Sequence, residues 1–136
     1  MRRIILIILM IALSGCTIDL SRFLTWNTNT TQMTVLQGDA TRGAELFTHG
    51  VNDAPPCISC HSLGQSPFSL GPKMIGISQR AGQRVPGLSA EAYLRQSILE
   101  PSAFLVSGFR DLMYPNFKDK LTEQDVADLI AYLETL

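Results

Sequence analysis

Much of the large apolar content of residues 38–136 lies where no long helix or strand can form. Phe68, Leu70, Met74, Ile75, Ile77, Phe104, Leu105, Val106, Phe109, Met113 and Phe117 fall in two stretches broken by turn residues. The segment from Leu63 to Gly87 is rich in Gly, Pro and Ser and reads as loop, and Pro101, Gly108 and Pro115 interrupt the segment 101–121, which reads as a second long loop with one short turn. Three helices are predicted around them. Asp39 caps the first, which runs to about Phe47, and Ser89 caps the second, which runs to about Leu99 and stops at Pro101. Thr122 and Asp125 form a capping-box pattern ahead of Val126, Leu129, Ile130 and Leu133, spaced i, i+3, i+4, i+7. There is no internal repeat and no credible strand pair. Helices this short are marginal alone, and loops this apolar cannot be left in water. An all-α domain over 38–136 therefore needs something large and apolar to wrap around, and a bound cofactor fills that role.

Cys57-Ile58-Ser59-Cys60-His61 names the cofactor class. It is the attachment motif of c-type haem. Two thiols three positions apart add to the two vinyl groups of one haem, and the next residue, His61, then lies under the iron as proximal ligand. A thioredoxin-like redox pair would need a βαβ context, which is missing. A zinc site would need more Cys or His ligands, and His49 is the only other histidine.

The N-terminus reads as an export signal. Arg2 and Arg3 precede an unbroken apolar run from Ile4 to Leu13, too short for a bilayer span of about 20 residues. Leu13-Ser14-Gly15-Cys16 resembles the bacterial lipobox. That resemblance implies cleavage after residue 15 and lipidation of Cys16, giving a stable anchor when two or more acyl chains are attached. Residues 16–37 read as anchor and tether, dominated by Thr, Asn, Ser and Gln, with Phe23, Leu24 and Trp26 as apolar exceptions. About twenty extended residues reach some 65 Å. The expected location is the outer face of a bacterial membrane. The chain carries 11 basic and 12 acidic side chains, which removes the electrostatic case for nucleic-acid binding. The three cysteines divide as one for lipid and two for haem.

Residues 38–136 resemble class I cytochrome c. The resemblance is carried by Gly38-Asp39-Ala40-Thr41-Arg42-Gly43-Ala44-Glu45-Leu46-Phe47, by the haem motif, and by Ala127-Asp128-Leu129-Ile130-Ala131-Tyr132-Leu133. It implies three to four short helices and long loops around one covalently attached haem c. The terminal helices are expected to cross with Gly43 and Phe47 against Leu129 and Tyr132. Gly71-Pro72 resembles the family's Gly-Pro, which implies that the Pro72 carbonyl accepts from the His61 imidazole and raises its basicity. Met113, in the loop before the last helix, stands where the family has its sixth iron ligand. Met74 and His49 are the other candidates. The family's Met-Pro is here Met113-Tyr114-Pro115, one residue longer. Gln79-Arg80-Ala81-Gly82 resembles the segment that approaches a haem propionate, which makes Arg80 the first candidate there. Arg84 and Arg95 are lesser candidates that read more readily as surface residues, and Tyr93 and Tyr114 are further candidates for the propionates.

The resemblance implies a membrane-tethered monohaem carrier of single electrons rather than an enzyme. Met/His ligation suits electron transfer and closes both axial positions. Residues 79–136 also resemble cytochrome domains of haem–copper oxidases, and the short lipoprotein build resembles the monohaem subunit of alternative complex III. Expected partners are thus the membrane, through Cys16, and other redox proteins such as multihaem cytochrome or haem–copper oxidase subunits. The alternative is a haem enzyme or gas sensor with an exchangeable sixth ligand.

Overall fold

The computed structural model describes residues 36–64 and 69–136. The expected export signal, Cys16, the expected tether through residue 35, and Phe68 lie outside the described residues. Among the described residues four helices appear in the order α1 (Ala40–His49), α2 (Ile77–Arg80), α3 (Ala90–Leu99) and α4 (Glu123–Leu133). Single 3₁₀ turns lie at Cys57–Ser59, Ala81–Gln83, Pro101–Ala103 and Phe117–Asp119. Among the described residues there is no strand, and no helix is long and apolar enough to cross a membrane.

The caps act where the sequence predicts them. Asp39 accepts from the amides of Thr41 (2.8 Å) and Arg42 (3.2 Å). The helix runs to His49, slightly past Phe47, and ends at Gly50, whose φ of 74° suits a residue without Cβ. Ser89 accepts from the Ala92 amide at 3.1 Å. Thr122 and Asp125 complete a reciprocal capping box. Two features depart from expectation. The segment 63–87 contains α2 and the 3₁₀ turn that continues it. Four residues give no periodic signal, and the helix starts instead from Gly76 in the left-handed region, with φ 71°. The segment 101–121 carries two 3₁₀ turns rather than one.

α1 and α4 cross in close backbone contact. A Cβ on Gly43 would land on the carbonyl of Asp128, and one on Gly38 would land on the carbonyl of Ala127. Phe47 stacks edge-on against Tyr132, with ring centroids 5.5 Å apart. The glycine thus meets the backbone of Asp128 and the Cβ of Tyr132, while Leu129 lines the central cleft.

The crossing also carries a polar clamp. Asp125 and Asp128 are 2% and 1% exposed, and buried carboxylates need charged or donor partners. Arg42 of α1 reaches both. Asp128 additionally accepts from the Asp39 amide and from Gln124, each at 2.7 Å. For Asp128, burial pushes the carboxyl pKa up. The Asp39 amide, Gln124 and Arg42 outweigh that and leave it lowered. For Asp125, burial is likewise opposed and exceeded by Thr122 and Arg42.

Two outcomes follow. Gly43→Ala should destabilise the domain by about 1–3 kcal/mol, because the added methyl forces the helices apart; denaturant unfolding measures it. The lowered carboxyl pKa values contribute stability that is complete above the unfolded-state value of about 3.9 and is lost as pH falls through the folded values. Asp128→Asn should therefore lower stability at neutral pH and flatten the loss of stability below about pH 4, as read from denaturant midpoints across pH.

Candidate haem site

The attachment motif is a wound turn. The Cys57 carbonyl accepts from the amides of Cys60 (3.1 Å) and His61 (2.9 Å). Pro56, extended at ψ 137°, leads into it. This turn brings Cys57, Cys60 and His61 together on the wall of one cleft. The two sulfurs are not bonded to each other. Burial pushes the Cys57 thiol up to about 11.

The loop after the motif folds back on it. The Cys60 carbonyl accepts from the Gly71 amide (2.9 Å) and the Ser69 hydroxyl (2.8 Å), and the Met74 amide donates to the Ser62 carbonyl at 2.9 Å. Pro72 is thereby placed with its carbonyl 2.8 Å from Nδ1 of His61. The ring nitrogen that makes this bond is the donor, which leaves Nε2 as the free ligand atom. Gly71 permits the arrangement, since a Cβ there would stand 2.5 Å from Cε1 of the His61 ring.

The cleft holds about 1350 Å³ of open space, counted to its solvent-facing mouth. Leu70, Met74, Ile77, Phe104, Leu105, Val106, Phe109, Met113 and Phe117 line it, joined by Leu94 and Ile98 of α3 and Leu129 and Leu133 of α4. Of the loop residues that demanded a partner, Ile75 alone among those described does not line it. Met113 and Met74 both do. Met74 is tied by its amide to Ser62, next to His61, whereas Met113 comes from the loop before α4. Tyr114 follows Met113 on the wall and packs edge-on against Phe117, with centroids 5.1 Å apart.

The arginines are placed differently from expectation. Arg80 does not line the cleft. Its guanidinium donates to the carbonyls of Ile75 (2.8 Å) and Lys73 (2.9 Å), closing the turn at Gly76. Arg84 does line the cleft, and its Nε is buried with no hydrogen-bond partner. Arg110 and Asp111 also line the wall. Arg95 pairs with Glu123 on the surface, and His49 sits exposed at the end of α1 beside the Glu45 carbonyl. Tyr93 and Tyr114 are both on the cleft wall. Arg84 ranked behind Arg80 in the sequence and Arg110 was not a candidate, because nothing in the spacing of a loop arginine says which side it faces. Gly71 was legible only as a turn residue.

These residues fit a haem on three counts. The cleft is large and apolar, an uncompensated guanidinium nitrogen awaits an acceptor on its wall, and the ring of His61 is oriented by a fixed carbonyl. Gly71→Ala should cost about 1–3 kcal/mol by overpacking and turn the His61 ring away from Pro72; denaturant unfolding together with the absorption spectrum of the haem-loaded protein reads both effects. An unchanged spectrum and stability would contradict the packing described.

The comparisons agree with this geometry. The family description "Cytochrome c" matches residues 40–136. A cytochrome c-553-like protein of Synechocystis sp. is 29% identical over 119 residues, covering 88% of this chain and 90% of the relative. A nicotinate dehydrogenase subunit of Pseudomonas putida is 34% identical over 84 residues, covering 57% of this chain but only 6% of that much longer protein. The chain belongs to the cytochrome c family, with the class I all-helical fold and haem c attached through Cys57 and Cys60.

Proposed function

We propose that this protein is a membrane-tethered monohaem cytochrome that passes single electrons between redox partners, with His61 and Met113 as axial ligands. The observation that carries this reading is the presence of a histidine and a methionine side chain on a mostly apolar wall. His61 is fixed by the Pro72 carbonyl at 2.8 Å, and Met113 enters from a separate loop. Haem supplies a one-electron couple. The chain's own contribution is to orient the imidazole, exclude water from the cleft, and set the potential through ligand strength and a low-polarity surround. Met74 belongs to the His61 side of the loop and fills the pocket. Arg84 takes the role first expected of Arg80 and offers its buried Nε to a propionate.

Anchoring rests on the lipobox-like Leu13-Ser14-Gly15-Cys16 and places the domain outside a bacterial membrane. The resemblance of residues 79–136 to domains of haem–copper oxidases, and of the whole build to the monohaem subunit of alternative complex III, favours membership of a respiratory or photosynthetic assembly. The likeness to part of a dehydrogenase fits the same role, with electrons delivered by a partner's active site. Mild detergent extraction followed by size-exclusion chromatography tests it. Co-elution of the haem band with larger redox subunits supports a resident subunit, and elution near the size of the chain alone supports a free carrier.

The ligand assignment has its own test. The reduced protein should not bind CO, because both axial positions are filled. Met113→Ala should open the iron to CO, lower the reduction potential and remove the sulfur-to-iron band of the oxidised protein. Ready CO binding by the unaltered protein would favour an exchangeable-ligand enzyme or sensor instead.

A further inference from the structure

The peptide that joins Gly71 to Pro72 has no N–H, because its nitrogen belongs to proline. Only its carbonyl, that of Gly71, can fasten it by an ordinary hydrogen bond. Gly71 adds freedom here, since glycine is the least restrained residue, and a Cβ in its place would strike the His61 ring. The Pro72 carbonyl, 2.8 Å from Nδ1 of His61, therefore follows a stretch of backbone with little of its own to fix it. Ser69 supplies the restraint. Its half-buried hydroxyl lies 2.6 Å from the Gly71 carbonyl and 2.8 Å from the Cys60 carbonyl, and it accepts from the Ser62 amide at 3.4 Å. The Cys60 carbonyl is also served by the Gly71 amide at 2.9 Å. Among the described residues, Ser69 is the one donor to the Gly71 carbonyl. One hydroxyl thus ties the Gly71–Pro72 peptide to Cys60 and Ser62, the two neighbours of His61 in the chain.

We propose that the Ser69 hydroxyl is a positioning group for the proximal iron ligand and helps to set the reduction potential through it. The proposal rests on the reading above, in which His61 ligates the iron of a one-electron carrier. Ser69 does not line the cleft, so it acts through other groups. It grips the Gly71 carbonyl, which orients the peptide into Pro72, whose carbonyl accepts from Nδ1–H of His61. A short, fixed bond of this kind makes the imidazole more basic and a stronger donor to the metal. A stronger donor favours the oxidised iron and lowers the potential. The hydroxyl has one proton for two carbonyls. The Cys60 carbonyl keeps an amide donor without it, whereas the Gly71 carbonyl does not, so the loss of that proton falls on the Gly71–Pro72 peptide. With the peptide loosened, the bond to His61 weakens and the potential rises.

The test uses the full haem-loaded chain as Ser69→Ala, Ser69→Thr and, as a control for lost stability, Gly43→Ala at the distant helix crossing. Two quantities are read: the potential by spectroelectrochemical titration, and the exchange of the His61 Nδ1 proton with water by NMR of the reduced protein. Ser69→Ala should raise the potential enough to change the oxidised-to-reduced ratio about threefold or more, about 28 mV for one electron. It should also speed the proton exchange about tenfold, the scale expected when a ligand's outer partner is disturbed. Ser69→Thr, which keeps the hydroxyl, should restore both. Gly43→Ala should lose stability and move neither. An unchanged or lowered potential in Ser69→Ala overturns the proposal. So does a threonine variant that behaves like the alanine one, since the hydroxyl is then not the agent, or an equal shift in Gly43→Ala, which traces the effect to stability alone. The unaltered protein separates the two readings: a reversible one-electron couple with a low-spin haem spectrum keeps the carrier function and His61 ligation standing even where Ser69 has no part in them.

Discussion

The apolar cleft is the constraint on which the rest of this molecule depends. Four short helices cannot bury loops as apolar as 70–77 and 101–117 against each other. Those loops turn inward and make most of the cleft wall, and the covalent attachment at Cys57 and Cys60 keeps the filling in place. In a domain this small a single core supplies little stability, and a staple is needed. Here the staple and the functional group are one and the same. The other fixed element, the α1/α4 crossing, provides a rigid floor. Gly43 and Gly38 let two backbones touch, Phe47 and Tyr132 close the seam, and Arg42 pairs with both Asp125 and Asp128.

The site is rigid for a reason that is visible bond by bond. His61 is held by the carbonyl of Pro72, which is held by the loop bonded to Cys60 and Ser62, which belong to the attachment turn itself. The imidazole orientation is thus set by residues covalently continuous with the haem anchor. Little reorganisation is then needed when an electron arrives or leaves, as a carrier requires. On the wall the Nε of Arg84 is buried, and a charge near the cleft in low dielectric bears on the potential of a bound haem.

Features governed by local chemistry were legible in the sequence. The caps at Asp39, Ser89 and Thr122, the stop at Pro101, the attachment motif and the need for a large apolar filling all follow from residue type and short spacing. Features governed by three-dimensional direction were not. Arg80 and Arg84 sit four residues apart in similar surroundings. One closes a turn by donating to Ile75 and Lys73, and the other faces the cleft. Asp125 reads as a capping residue and is one, but its second role, accepting from Arg42 across the helix crossing, has no local signature. Gly43 meets Tyr132 at the crossing as expected, yet it also meets the backbone of Asp128, which a side-chain pattern cannot reveal. The helix at Ile77–Arg80 is too short for any period and exists because Gly76 can begin it.

The central claim is that this domain is built around its haem. The most direct test is the cooperativity of unfolding in the full chain with both attachment cysteines removed, Cys57→Ser/Cys60→Ser, prepared without haem and compared with the loaded protein. The account predicts that the haem-free chain keeps part of its helix signal in the far ultraviolet but loses its aromatic near-ultraviolet signal and unfolds gradually. A sharp two-state transition at the same denaturant midpoint as the loaded protein would contradict it.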